Sequence, residues 1–257
     1  MHIENLSLYI ITLNEEKRLE KTLEAAKNLA DEIIIVDSGS TDKTEEIAKS
    51  YGAKFIFHKW QSIGHQVKFA EEQCSYKWVL RLDADEVIPP KLFNEIQNIK
   101  KSGNKDGYII PIGDVYPGMK HANKWVKHYD KQIRLYNREA WTNSGEFEHD
   151  DVIKIKPGAT FGKCKNLIEH YSFISISQII KKHDAYSDQL AKRAVLQNKN
   201  YSPFRMVFCG IFEFLKYYIL GRLFLLGWWG FINCVNLGYL RFLKFAKFYE
   251  YKSSVNE

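Results

Sequence analysis

The chain has 257 residues, 45% of them hydrophobic and 26% charged, a balance that excludes a disordered chain and a disulfide-stapled mini-domain. Its 37 Lys and Arg exceed its 31 Asp and Glu by six, an excess that gives no case for nucleic acid as a partner and is compatible with an anionic surface. Cys74, Cys164, Cys209 and Cys234 stand far apart with no CxxC pair or adjoining His cluster, so reduced thiols are expected rather than structural zinc or a disulfide framework.

The first apolar run, Leu6 to Leu13, is short and contains Ser7 and Thr12. No basic region precedes it and no small-residue cleavage site follows, so it reads as a strand, Leu6–Thr12, and export is not expected. Further strands are predicted at Glu32–Asp37, Lys54–Phe57 and Trp78–Asp83. Between them lie helical patterns. Leu19, Leu23 and Ala26 recur at spacings of four and three, and Ile47 and Ala48 follow a capping Asp42. A third helix is expected over about 64–74, and a fourth from Pro89 and Pro90, where proline suits a first turn. Strands alternating with helices predict a mostly parallel α/β sheet joined by right-handed crossovers. Beyond it, Gly107–Ile112 and Gln132–Asn137 look like strands among long loops, and a polar helix is expected over about 176–198.

The last 57 residues hold 17 of the 37 aromatics, with seven basic residues against three acidic ones. The apolar stretch from Phe204 to Leu226 approaches bilayer length, but Arg205, Glu213, Lys216 and Arg222 interrupt it. Each charge would cost about 2.5–3.5 kcal/mol at a bilayer centre. Aromatic, basic helices lying in a membrane interface are therefore expected here; a helical pair packed on the sheet, or an oligomer interface, is the rival reading. The division predicted is a catalytic domain over 1–172, a connecting helix over 173–200 and a membrane-associating region over 201–257.

In an open parallel sheet, ligands bind beyond the carboxyl ends of the strands. Thr12, Leu13, Asn14 and Glu15 follow the first strand, Asp37 to Asp42 end and follow the second, and Asp83 to Glu86 end and follow the fourth. Acidic and hydrogen-bonding groups thus converge on one edge. Neither GxGxxG nor GxxxxGK[ST] occurs, so a phosphate cradle of backbone amides is not indicated. So acidic an edge would repel a phosphorylated ligand unless a cation intervened. Asp83 and Asp85, spaced D-x-D, suit one hard divalent ion with positions left open for a diphosphate. Asp37 is placed to accept hydrogen bonds from a ribose or a base. The same residues are also compatible with a solvated loop at 83–86 and a plain turn at 37–42, where Gly39 allows positive φ.

Three segments, Ile10-Ile-Thr-Leu-Asn-Glu-Glu16, Ile34-Ile-Val-Asp-Ser-Gly-Ser-Thr-Asp42 and Leu80-Arg-Leu-Asp-Ala-Asp-Glu86, resemble the nucleotide-diphosphosugar signature of inverting family 2 glycosyltransferases with the GT-A fold. Within them the chain is most similar to the lipopolysaccharide core β-1,4-glucosyltransferase group. Residues 5–100 carry most of the likeness, and Arg134-Leu-Tyr136, Glu148-His-Asp150 and Ile168-Glu-His-Tyr171 extend it to about 185. The resemblance implies a Rossmann-like, mixed, mostly parallel sheet and a UDP-sugar donor. Thr12, Asn14 and Glu15 would line the nucleotide pocket, Asp37 would contact uridine, and Asp83 the ribose or metal. Asp85 would hold the Mg²⁺ or Mn²⁺ that bridges the diphosphate.

The group's late Val-His-Glu segment reads Phe147-Glu148-His149-Asp150 here, and its Gly-x-Gln-Lys-Asn reads Gly64-His-Gln-Val-Lys68. Inverting transfer needs a base for the acceptor hydroxyl; Asp150 is the first choice, with Asp151 and Glu148 behind it, and His149 supports acceptor or phosphate. Arg134 would pair with a phosphate or form a salt bridge inside the sheet, and His170 with Tyr171 suits core packing or a substrate rim. Trp60 and Trp125 suit stacking on sugar rings, but burial, the commoner fate of Trp, is expected of both, and neither is counted in the site. The implied enzyme moves a hexose, glucose by the resemblance, onto a bacterial lipopolysaccharide core, working in the cytoplasm on the inner face of the inner membrane. Another lipid-linked or cell-envelope glycan is the alternative acceptor, and a non-catalytic membrane scaffold is the reading from a different class.

Overall fold

Apolar runs with little polar interruption form strands when helices cover both faces of a sheet. The structure is a computed structural model, and it describes residues 2–126, 132–146, 151–173 and 175–254. The elements begin β1 (Leu6–Thr12), α1 (Leu19–Ala26), β2 (Glu32–Asp37), α2 (Thr44–Ser50), β3 (Lys54–Phe57), α3 (Ile63–Glu72) and β4 (Trp78–Asp83). They continue β5 (Glu86–Val87), α4 (Pro90–Ser102), β6 (Gly107–Ile109), β7 (Ile112–Asp114), β8 (Ile133–Asn137) and β9 (Trp141–Asn143). The remainder are β10 (Val152–Lys154), β11 (Phe161–Lys163), β12 (Ile168–His170), α5 (Ile176–Leu196), α6 (Pro203–Leu215) and α7 (Trp228–Ser254). They fall into two compact units, one of Met1–Val115 with His128–Ser172, the other of Tyr116–Lys127 with Phe173–Glu257.

In the first unit the main sheet runs β11-β6-β8-β4-β1-β2-β3. β1 is parallel to β2 and β4, while β8 runs antiparallel between β4 and β6. Successive side chains alternate between faces. Leu8 and Ile10 join Leu19, Leu23, Leu80 and Leu92 on one side, while Tyr9, Ile34 and Val36 join Val67, Ala70 and Trp141 on the other. Each such buried side chain contributes about 1.5–3 kcal/mol. The register sets Thr12 opposite Asp37 and Ile11 opposite Asp83, so three chain segments leave the sheet together at one edge. A small sheet, β5-β12-β7, sets His170 opposite both Glu86 and Asp114.

The strand expected over Gly107–Ile112 is two strands in two sheets. Pro111, which has no N–H to give a ladder, lies between β6 and β7 and accepts Ile168 N–H through its carbonyl. Asp42 precedes α2 by one residue more than a cap would; its Oδ1 still accepts the Thr44 N–H at 3.0 Å. Trp60 and Trp125 are exposed, at 50% and 62%, against the expectation of burial.

In the second unit, Ala191 and Ala194 of α5 pack on Phe248 of α7, with Tyr201 edge-on to Phe245 and Phe248. α6 and α7 meet at two glycines. A Cβ on Gly238 would stand 2.7 Å from the Gly210 carbonyl oxygen, closer than any side chain tolerates. Tyr116, Phe173 and Trp229 form an aromatic group, and Asn233 donates to the Tyr116 hydroxyl at 2.8 Å. The apolar stretch from Phe204 to Leu226 is not one helix. α6 passes into a π-type turn, Lys216–Leu220, Arg222 takes φ 59°, and a 3-10 turn follows over Leu223–Leu226. Among the described residues, no helix is long and apolar enough to cross a membrane.

Candidate active site

The loops after β1 and β2 are joined by side chains that the strands deliver. Thr12 Oγ1 donates to Asp37 Oδ1 at 2.9 Å. Asp37, 2% exposed, also accepts the N–H groups of Gly39 and Ser40 at 2.7 and 2.6 Å and the Ser40 hydroxyl at 2.5 Å. Four accepted bonds fill a carboxylate's capacity, so Asp37 shapes the turn that Gly39, at φ 110°, makes possible. Asn14 takes φ 56°, a region asparagine tolerates. There its N–H reaches Ser40 Oγ at 2.7 Å and its Oδ1 accepts the Thr41 N–H at 2.9 Å. Gln66 of α3 supports the same turn by donating to Ser38 Oγ at 3.0 Å.

Beside these loops runs a row of alternating charges. Glu15 grips Arg18 with both oxygens, at 2.6 and 2.8 Å, and Arg18 Nη1 lies 3.0 Å from Asp85 Oδ2. Asp85 Oδ1 is 3.4 Å from His170 Nε2, and His170 Nδ1 is 2.9 Å from Asp114 Oδ1. Burial opposes charge on His170, but its hydrogen bonds to Asp114 and Asp85 outweigh it and raise the pKa to about 10. Asp85 is held below the carboxylate range, since His170 and Arg18 overcome the cost of burial. Burial dominates at Glu15 and pushes it up.

Asp83 belongs to a second group. Its Oδ1 is 3.3 Å from Arg81 Nη2 and 3.6 Å from Arg134 Nη1, and Arg134 Nη2 is 3.1 Å from Glu86 Oε1. Against the cost of burial, the two guanidinium groups hold Asp83 well below its ordinary value, while burial raises Glu86. Arg134 is 3% exposed, yet its Nε and Nη1 have no hydrogen-bond partner. Of the two readings of Arg134, the salt bridge inside the sheet is the one this geometry contains.

Thr12, Asn14, Glu15, Asp37, Asp83 and Asp85 therefore gather at one sheet edge. Asp150, with Glu148 and His149, lies outside the described residues. Asp151 is exposed, and its carbonyl accepts the Ser144 N–H at 2.8 Å. Lys68 points elsewhere, donating to Thr142 Oγ1 at 2.6 Å beside buried Glu71. Sequence reasoning missed Arg18, Arg81 and Asp114 and did not assign His170 to Asp85. Arg18 had one signal, its i,i+3 spacing from Glu15; Asp114 reaches the site only through the pairing of β7 with β12. Among the described residues, no three His, Cys, Asp or Glu are grouped so as to hold a metal ion.

Residues 7–168 match glycosyl transferase family 2. An uncharacterized glycosyltransferase of Rickettsia typhi is 37% identical over 96% of this chain and 88% of its own length. The lipopolysaccharide core biosynthesis glycosyltransferase LpsC of Rhizobium meliloti is 28% identical over 95% of this chain and 92% of its own. Among solved structures, S. aureus TarS 1-349 superposes with a TM-score of 0.47 at 14% identity, covering 87% of this chain and 75% of that one. Glucosyl-3-phosphoglycerate synthase from Mycobacterium tuberculosis, in complex with Mn²⁺, UDP and phosphoglyceric acid, gives 0.45 at 18% identity over 71% and 76%.

The sheet is mostly parallel and flanked by helices, with polar strand ends gathered at one edge. The chain belongs to glycosyl transferase family 2.

Proposed function

We propose that the protein transfers a hexose from a UDP-sugar to a bacterial lipopolysaccharide core, by a metal-assisted single displacement with inversion. The observation that carries this is the convergence of three strand ends on one edge, with Asp85 facing His170 there. LpsC, matched over nearly its whole length, supports a lipopolysaccharide acceptor over another envelope glycan. The described residues offer a divalent ion two ligands, Asp85 and His170, so it would bind only together with the donor's diphosphate and with His170 giving up its Nε2 proton. His170 gives its Nδ1 side to Asp114, which fixes the ring as metal-bound histidines are fixed, and its Nε2 faces a carboxylate oxygen. One imidazole among oxygen ligands favours Mn²⁺ over Mg²⁺. Asp85 and His170 would hold the ion; Asp83, neutralised by Arg81 and Arg134, faces the ribose instead.

When bound, the ion stabilises the negative charge that develops on the departing diphosphate. Thr12, Asn14 and Glu15 line the nucleotide pocket, and Asp37 keeps the uridine-side turn in shape. Arg18 keeps Asp85 oriented. Asp150 takes the acceptor hydroxyl's proton, with Glu148 and Asp151 as the other carboxylates of that segment, a role worth about 10²–10⁴-fold in rate. The aromatic, basic helices of the second unit suit an enzyme held at the inner face of the membrane, where a lipid-linked acceptor would be met.

The test is thermal unfolding with a panel of nucleoside diphosphates, with and without Mn²⁺. A ligand at about 100 times its Kd adds about 2.7 kcal/mol. UDP is expected to stabilise the protein only with the metal, and Asp85→Asn to remove that effect and lower turnover by more than about 100-fold, beyond what losing an outer hydrogen-bond partner costs. Equal stabilisation without metal would remove the ion from the scheme, and no response to any nucleotide would remove the donor site.

A further inference from the structure

The second unit contains a cavity of about 240 Å³ between α5, the link to α6 and the C-terminal half of α7. Leu190, Ala194 and Tyr201 form its apolar wall; Arg193, Lys199 and Lys244 bring cations to it. Arg205 joins them, its guanidinium 5.8 Å from the Tyr201 ring centre, with Lys244 Nζ 5.7 Å from the same ring. Among the described residues no carboxylate pairs with Lys199 or Lys244. The nearby acids are committed, Asp184 to Lys247, Asp188 to Lys192, and Glu213 to Arg241 and Lys216. Burial, and then the fields of Arg241, Lys199 and Arg205, lower the Lys244 pKa. The volume equals that of about eight waters, room for a phosphate and the glycerol or sugar that carries it.

The surface around this unit says where such a phosphate would come from. α6 leaves Phe204, Phe208 and Phe212 exposed, and α7 leaves Trp228, Tyr239 and Phe242 exposed. Between 201 and 249 the sole acid is Glu213, against six basic residues. Apolar rings ringed by cations and nearly free of acids complement an anionic lipid interface rather than an acidic protein.

We propose that this cavity binds the phosphate group of an anionic membrane lipid, with Lys199 and Lys244 as its cations. The inference deepens the membrane partner proposed above, and its test uses neither donor nor turnover. The full chain is sedimented with vesicles of phosphatidylcholine, alone or mixed with phosphatidylglycerol. Binding is expected only with the anionic lipid, and Lys199→Glu together with Lys244→Gln is expected to weaken it about 30-fold. Lys199→Glu alone, on an exposed loop residue, keeps the test valid should the pair unfold. Lys49→Glu, an equal charge change in the first unit, is expected to leave binding within twofold.

Wild-type binding by the double variant, or an equal loss with Lys49→Glu, would overturn the site. Displacement from vesicles by inorganic phosphate at equal concentration would overturn the lipid as its source. Failure of the wild-type chain to bind anionic vesicles, with the UDP response intact, tells against this cavity alone, and anionic-lipid binding with no UDP response tells against the transferase reading alone.

Discussion

Asp114 never touches the nucleotide edge directly, yet it decides how His170 meets Asp85. Removing its carboxylate frees the imidazole to turn, and losing such an outer partner typically costs 10–100-fold in metal affinity. Asp114→Asn is therefore expected to raise the Mn²⁺ concentration needed for UDP-dependent stabilisation by about that factor, with the metal-free melting temperature nearly unchanged; an unaltered Mn²⁺ titration would count against His170 as a ligand. Glu86 poses a different risk. Its loss would remove the shorter of two ion pairs from Arg134, already without hydrogen-bond partners at Nε and Nη1, and leave it the longer one, 3.6 Å to Asp83. Breaking a buried pair costs about 3–5 kcal/mol, so Glu86→Ala is expected to lower thermal stability by that amount, read by calorimetry. At this scale the sequence told much. Thr12, Asp37, Asp83 and Asp85 stand where apolar runs end, and a strand's last residue must point its chain out of the sheet. Arg18, Arg81 and Asp114 were hidden because long or laterally paired side chains reach the site by packing.

The parallel strands β1, β2 and β4 were legible because burial on both faces demands unbroken apolar runs. β5, β7 and β9 to β12 are two or three residues long, too short to show any period, and all but the neighbouring β9 and β10 pair with strands distant in sequence. One consequence is a polar cluster that no pattern announces. Tyr9 and Tyr136 share a hydrogen bond at 2.8 Å, Tyr136 donates to Glu71 at 2.8 Å, and Glu71 also accepts Thr142 Oγ1 and the Asn143 N–H at 2.6 and 2.7 Å. Burial pushes both phenols upward, so they stay neutral donors. Glu71 thereby pins α3 to β9, and β9 leads into the segment that carries Asp150. Glu71→Ala would strand several of these groups at about 1–3 kcal/mol each. We expect a loss of about 2–5 kcal/mol in urea unfolding; a change below half a kcal/mol would mean that water replaces the carboxylate.

At the scale of the whole molecule, the second unit buries Phe245 and Phe248 but leaves Phe204, Phe208, Phe212 and Trp228 exposed, and the run after Phe204 is broken by tighter and wider turns. The glycine contact between α6 and α7 lay beyond reach, because only the crossing of two helices makes Gly210 and Gly238 meet. Phe208→Ser with Phe212→Ser removes two exposed rings, and exposed substitutions shift stability by no more than about 0.5 kcal/mol. Vesicle binding is expected to fall at least tenfold in that variant, read by sedimentation, while melting stays put; retained binding would transfer the membrane role to the cations alone.

The order of strands in the main sheet also bears on how the protein is made. β8 sits between β4 and β6, yet both of those leave the ribosome before it does. At about 5–20 residues per second, the roughly 50 residues separating β4 from β8 take about 2.5–10 s to emerge. Throughout that interval the nascent chain carries β1 to β4 with one flank unpaired, an open template for other polypeptides. An edge left open for that interval exposes the nascent chain to mispairing, and slow codons between Glu86 and Ile133 would lengthen the exposure.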